Sequence, residues 1–167
     1  MKIYYTIIKS PLGQIFVIGS ERGLNLLTFS KNEWRKYNEK LKIKNEKLIK
    51  NEKLFSNLIK ELKDYFSGKK VDFKDKLDFS SGTEFQRRVW KEMKEIPYGE
   101  TRSYMWLAEK VGNSKKARAV GNACGANRFP IIVPCHRVIK EDGGLGGYSG
   151  GIETKKKLLK LEKVELR

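Results

Sequence analysis

The 167-residue chain holds a single histidine, His136, and it directly follows one of only two cysteines, Cys135. A cysteine attacks carbon electrophiles as its thiolate, and an adjacent base or cation raises the ionised fraction. Pro134 fixes the backbone just before the thiol, and residues 131–133 read as a short buried strand ending there. The pair is therefore a candidate nucleophile held rigidly beside a base. The same dipeptide also suits a buried free cysteine acting as a small apolar residue, with the imidazole pointing elsewhere. One histidine and two cysteines are too few for a structural zinc, so neither metal nor cofactor is expected.

A carboxylate near the C-terminus bears on this pair. Thr154 is positioned to cap a helix carrying Leu158, Leu159 and Leu161. Glu162 follows Leu158 and Leu159 by four and three residues, so it shares their apolar face. A carboxylate there needs a partner, and His136 is the natural one; the alternative is a frayed last turn with Glu162 in water. Between the two lies a glycine-rich stretch around Tyr148, Ser149 and Gly150. Its glycines allow close backbone approach to a ligand. It lacks the Gly-Lys-Ser/Thr ending of a phosphate loop, so it reads as a substrate-facing loop or a flexible linker.

The elements that must position these groups fall into two sets. Residues 2–8, 14–19 and 24–29 alternate as strands of a meander, with turn chemistry at Ser10-Pro11-Leu12-Gly13 and Ser20-Glu21-Arg22-Gly23. Asn-Glu-Lys-Leu then occurs at 38–41, 45–48 and 51–54. This run reads as a solvated connector, with a basic DNA-gripping helix as the other reading. Residues 53–66 are amphipathic, with Leu54, Leu58, Leu62 and Phe66 at every fourth position. Ser80-Ser81-Gly82 reads as a boundary. Beyond it, Thr83 and Gln86 have capping-box spacing, and Phe85, Val89, Met93 and Ile96 line one face. Ser103 is expected to cap a helix bearing Tyr104, Leu107, Ala108 and Val111. After Gly112-Asn113, Ser114 is expected to cap a second helix running to about Ala126. Two short helices on a tight glycine turn have the form of a helix-turn-helix. The second is thin, with Ala117, Ala119, Gly121, Ala123, Gly125 and Ala126, and Arg118 is its one long charged side chain. A thin helix suits close packing in a core, or entry into the DNA minor groove, only about 6 Å wide.

Composition narrows the setting. Apolar residues make up 39% and charged residues 34%, enough for a packed core under a hydrated surface. The formal net charge of +16 favours a polyanionic partner, although a lysine-rich composition alone would produce it. No apolar run approaches membrane-spanning length, no signal peptide is read, and the cysteines do not form a secreted disulfide framework. A reducing, cytoplasmic setting is the expectation.

Taken together, these segments resemble one family. Pro134-Cys135-His136-Arg137-Val138 resembles the signature of the O6-alkylguanine-DNA alkyltransferases, also called methylated-DNA–protein-cysteine methyltransferases. Residues 83–89, Ile96-Pro97-Tyr98-Gly99, Ser103-Tyr104, Ala117-Arg118-Ala119-Val120-Gly121 and Asn127 match before the pentad. Gly147-Tyr148-Ser149-Gly150-Gly151, Lys155 and Leu158-Leu159 with Glu162 match after it. The first half fits only loosely, through its strands and residues 62–68.

The resemblance implies an α/β protein, with a small β-sheet-plus-helix domain over 1–80 and a mostly helical DNA-binding and alkyl-acceptor domain with a helix-turn-helix over 81–167. It implies DNA repair by direct, irreversible transfer of an alkyl group from O6-alkylguanine to Cys135, with O4-alkylthymine left open. His136 would act through a water as base, Glu162 would orient it, and Asn127 would hinge the helix-turn-helix to the active-site strand. Tyr104, Pro130, Val138, Tyr148, Ser149 and Gly150 would form the guanine pocket. Ser103, Tyr104, Arg118, Ala119, Gly121 and Ala123 would meet DNA, with Arg118 filling the stack left by the extruded base. The expected partner is double-stranded DNA with alkylated bases, bound by a monomer. Some relatives carry zinc in the first half, but this chain has neither Cys nor His before Cys124. The role of Cys124 stays open. A DNA-binding module without chemistry and a Cys-His hydrolase are the competing classes.

Overall fold

A computed structural model describes residues 1–166 of the chain. The chain divides into two compact units, Met1–Phe79 and Ser80–Arg167.

The first unit is built on hairpins. Strands β1 (Ile3–Ser10), β2 (Gly13–Ser20) and β3 (Gly23–Thr28) pair antiparallel in succession. Each two-residue turn delivers the chain to a glycine at positive φ, Gly13 at 107° and Gly23 at 125°, a region glycine enters without steric cost. Gly23 has a second reason to lack a side chain, because a Cβ there would lie 2.4 Å from the Lys76 carbonyl oxygen. Leu24 N–H donates to that same oxygen at 2.8 Å, so the returning segment lies along β3.

The lysine-rich repeat is ordered, which corrects the reading of it as a drifting connector. Helix α1 (Lys31–Ile43) contains the first copy and buries its Leu41 against Ile3, Ile18 and Leu26. The second copy turns the chain at Asn45 (φ 59°) and begins β4 (Leu48–Lys50). That strand pairs parallel with β1, giving the order β3-β2-β1-β4. In the third copy the Asn51 side chain accepts from Leu54 N–H and caps a 3-10 turn, Glu52–Phe55. Similar tetrapeptides thus serve as helix, turn and cap, because tertiary contacts outweigh local preference.

The 3-10 turn also shifts the phase of the next helix, α2 (Ser56–Phe66). Leu58, Leu62 and Tyr65 are buried in it, as is Phe55 just before it, while Leu54 stays 50% exposed. The expected stripe at every fourth residue from Leu54 to Phe66 is therefore displaced at both ends.

In the second unit, helix α3 (Glu84–Lys94) starts with a full capping box. Gln86 N–H donates to Thr83 Oγ1 at 3.1 Å, and Thr83 N–H donates to Gln86 Oε1 at 2.9 Å. Val89, Trp90 and Met93 are buried, whereas Phe85 is only half-buried. A two-residue strand, β5 (Arg102–Ser103), leads into α4 (Tyr104–Lys110), capped by the Ser103 hydroxyl. The next cap is Asn113 rather than Ser114. It starts a 3-10 turn, Ser114–Lys116, before α5 (Ala117–Gly125). Helices α4 and α5 form the helix-turn-helix, and the Trp90 indole N–H donates to the Ala123 carbonyl at 2.8 Å, fixing α3 against α5.

Residues 131–133 are a turn, not a strand. Val133 N–H reaches back to the Phe129 carbonyl at 2.8 Å, and Ile131 sits at φ 75°, a strained conformation for a β-branched residue. A 3-10 turn, Cys135–Arg137, and β6 (Val138–Ile139) follow, with β6 pairing parallel to β5. The last helix, α6 (Ile152–Leu161), begins after Gly151, so Thr154 lies inside it and is not its cap. Among the described residues no helix is long and apolar enough to cross a membrane.

Thr83→Ala removes one side of the capping box and leaves a helix N–H without its partner. It is expected to lower stability by about 1 kcal/mol, read by urea unfolding. An unchanged midpoint would mean that packing alone starts α3.

Candidate active site

Glu162 follows the last turn of α6 and is 2% exposed. Its Oε1 meets His136 Nε2 at 2.7 Å and Arg137 Nη2 at 2.9 Å, and Oε2 accepts from Arg137 Nε at 2.9 Å. Arg137 also donates to the Ile96 carbonyl at 2.7 Å. A carboxylate gripped on both oxygens by a guanidinium keeps its charge, and these partners hold Glu162 well below the usual carboxylate range despite burial. It can then only accept, so His136 Nε2 carries the hydrogen. In the neutral ring that leaves the Nδ1 lone pair as the base. Burial lowers the His136 pKa, and of the nearby charges Glu162 raises it while Arg137 and Lys155 lower it; the net direction is down. The imidazole is thus a neutral base at physiological pH.

Cys135 is 6% exposed and lines a cavity of about 530 Å³, within the usual range for small-ligand sites. Burial pushes its pKa up. The Asn127 side chain, Lys155 and the backbone N–H groups of Cys135 and His136 pull in the opposite direction without cancelling it. The neighbouring imidazole is not among these groups. The ring turns to Glu162, and the groups favouring the thiolate are an amide, backbone dipoles and a lysine.

Asn127 is placed by the end of α5. Its side chain donates to the Val133 carbonyl at 2.8 Å and accepts from Phe129 N–H at 2.9 Å. It therefore joins the helix-turn-helix to the turn that delivers Cys135.

The cavity brings Tyr104, Arg118, Gly121, Tyr148 and Ser149 together with Cys135. Tyr104 is pushed up to about 12, mainly by burial, and remains a phenol able to donate. The buried Tyr148 hydroxyl has no hydrogen-bond partner among the described residues. Pro130, Val138 and Gly150 are not among the lining residues. Val138 is fully buried and offers its carbonyl to Lys155, while a Cβ on Gly150 would lie 3.0 Å from the Tyr148 ring. On the helix-turn-helix, Ser103 serves as a cap, Ala119 is half-buried, and Ala123 is 2% exposed with its carbonyl on Trp90. Ala123 therefore packs inward, which corrects its assignment to the DNA-facing side.

Arg137 and Lys155, matched to the family above without a role, are both buried here. Cys124, whose role the sequence leaves open, is buried as well. This second thiol lines the same cavity, contacts Met93 Sδ at 3.4 Å, and is pushed up to about 12 by burial.

A buried cysteine, next in the chain to a histidine–glutamate pair and sharing its cavity with a helix-turn-helix, defines the class as a DNA-contacting protein. Comparison with known proteins agrees. Residues 84–164 match the DNA binding domain, and residues 3–79 the ribonuclease-like domain, of 6-O-methylguanine DNA methyltransferase. A methylated-DNA–protein-cysteine methyltransferase of Methanosarcina barkeri is 46% identical over 165 residues, covering 99% of this chain and 100% of the relative. The constitutive enzyme of that name in Bacillus subtilis is 37% identical, covering 98% of each. The crystal structure of Mycobacterium tuberculosis OGT in complex with DNA superposes with a TM-score of 0.81 at 41% identity, covering 96% of this chain and 92% of that one. The chain belongs to the 6-O-methylguanine DNA methyltransferase family.

Acid should unravel this site in two stages. His136 has an ordinary pKa of 6.5, lowered in the fold, so the unfolded chain takes up that proton first and stability begins to fall below about pH 6.5. Glu162 adds a second loss below its ordinary 4.5, continuing down through its depressed folded value. Glu162→Gln should cost about 3–5 kcal/mol at neutral pH and flatten the lower stage. Thermal unfolding across pH checks both, and a variant with the wild-type acid profile would refute this placement of the charge.

Proposed function

We propose that this chain repairs DNA by one stoichiometric, irreversible transfer of a methyl or other alkyl group from O6-alkylguanine to its own Cys135. The observation that carries this reading is the acceptor sulfur opening into a base-sized cavity shared with Tyr104, Tyr148, Ser149 and Arg118. The lesion lies inside the duplex, so its nucleotide must leave the stack to reach the sulfur, at a cost of a few kcal/mol that is least for a damaged base. Arg118, exposed on α5, is the side chain able to fill the gap. The partner is double-stranded DNA holding an alkylated base, and the protein works as a monomer in the cytoplasm.

In the reaction, His136 Nδ1 receives the thiol proton through a water, with Glu162 holding the ring. The thiolate displaces guanine from the alkyl carbon: an S–C bond forms and the C–O bond breaks. Guanine regains a proton from Tyr104, which the solvent restores, so the proton released by the thiol is balanced by the one guanine gains. The thioether is stable and no second nucleophile in the cavity is ionised, since Cys124 remains a thiol. One protein is therefore consumed per lesion.

Mass spectrometry after mixing with an O6-methylguanine duplex tests this directly. One methyl group should appear on the peptide containing Cys135, stop at one equivalent, and be absent in Cys135→Ala. Binding with unchanged mass would instead indicate a lesion-recognising module without chemistry. Multiple turnovers of an ester would indicate a hydrolase.

A further inference from the structure

Lys155 lies in α6 with no solvent exposure. Its ammonium donates to the Val138 carbonyl at 2.7 Å, the Leu145 carbonyl at 2.5 Å and the Gly147 carbonyl at 3.1 Å. An ammonium has three hydrogens, and here each has one acceptor. Val138 follows the turn that carries the acceptor cysteine, while Leu145 and Gly147 belong to the glycine-rich loop. That loop closes its own ends: Lys140 N–H bonds to the Gly144 carbonyl, and Gly151 N–H to the Tyr148 carbonyl. Its middle is held through Lys155.

A second observation points the same way. Gly146 stands between the two fastened carbonyls at φ 71°, and a Cβ there would lie 2.8 Å from the Tyr104 hydroxyl. The Lys155 ammonium itself is 5.9 Å from the Tyr104 ring centroid. The fastened stretch is thus the surface against which Tyr104 rests, and the next residues, Tyr148 and Ser149, line the cavity.

We propose that Lys155 is a positioning residue whose ammonium fastens the middle of the glycine-rich loop to the strand after the acceptor cysteine, so that the cavity keeps its shape only while this amine is protonated. The proposal rests on the reading of this cavity as the base pocket. The groups facing the ammonium are Cys135 and His136 on the active-site turn, Cys124 on α5 and Tyr104 on α4. Cys124 and Tyr104 are pushed up to about 12 and keep their protons. Burial lowers Lys155 to about 8, and the nearby sulfurs oppose that shift. Loss of the proton leaves two hydrogens for three carbonyls, so the loop should loosen as pH rises through this value.

Two measurements on the full chain test this. In the wild type, hydrogen-exchange protection of the loop's bonded amides, those of Lys140, Gly143 and Gly151, should drop across pH 7 to 9 relative to α3, with no DNA present. Protection that stays flat through this range would overturn the proposal. In Lys155→Met, which removes all three bonds, the duplex concentration giving half-maximal methyl transfer should rise about tenfold or more, tenfold being the scale of one lost charge-assisted hydrogen bond, and the limiting rate should fall as well because the ammonium no longer favours the Cys135 thiolate. Lys155→Arg should not restore it, because a planar fork cannot meet three carbonyls around one point. A folded Lys155→Met with wild-type half-saturation and loop protection would overturn the proposal. If the wild type transfers no methyl group, the reading of the site fails while the exchange result still stands or falls alone.

Discussion

The second unit depends on one buried charge. Glu162 has almost no solvent, and an isolated carboxylate there would be prohibitive. Arg137 neutralises it through both oxygens, His136 takes one of those oxygens, and Arg137 continues to the Ile96 carbonyl before the turn at Gly99. One side chain after the last helix thereby ties together the active-site turn and the end of α3. It also fixes which imidazole nitrogen can accept a proton. Position and reactivity come from the same contacts, and neither can be altered alone.

The Cys135 sulfur shows the opposite balance. Burial keeps Cys135 from ionising freely, while the Asn127 side chain, the Lys155 ammonium and two backbone N–H groups favour the anion. A freely ionised thiol would react with any soft electrophile, and a fully suppressed one would not react with an alkylated base. Cys124 gives the comparison within one cavity: burial and the neighbouring Cys135 push it up, and its sulfur rests on Met93. The surroundings of the two sulfurs differ, with the Asn127 side chain acting on Cys135 and the Met93 thioether against Cys124.

Much of this was legible beforehand where local chemistry decides the outcome. The two hairpins, the Thr83–Gln86 box and the Ser103 cap depend on residues within a few positions of each other, and all three form. The Glu162 partnership was readable from helical spacing because there was only one histidine to find. The misreadings share a different cause. The three Asn-Glu-Lys-Leu copies look alike but take their structures from distant contacts: Leu41 from the sheet, Leu48 from β1, and Asn51 from its N–H bond to the Tyr5 carbonyl. The turn at 131–133 looked like a strand because its apolar run is buried, and burial does not distinguish the two. Arg137 and Lys155 matched the family but carried no role, since a long cation normally snorkels to water. Their partners, a carboxylate and three carbonyls, lie too far along the chain for spacing to reveal.

The protonation state of the lone imidazole tests the central claim most directly. With nitrogen-15-labelled histidine the chain yields one ring signal pair, so no assignment is needed. At pH 7 the buried charge arrangement requires a neutral ring with its hydrogen on Nε2 and a bare Nδ1, persisting below the ordinary histidine pKa of 6.5. A hydrogen on Nδ1 at pH 7, or a ring titrating like a free histidine, would show that Glu162 and Arg137 do not hold the base in place.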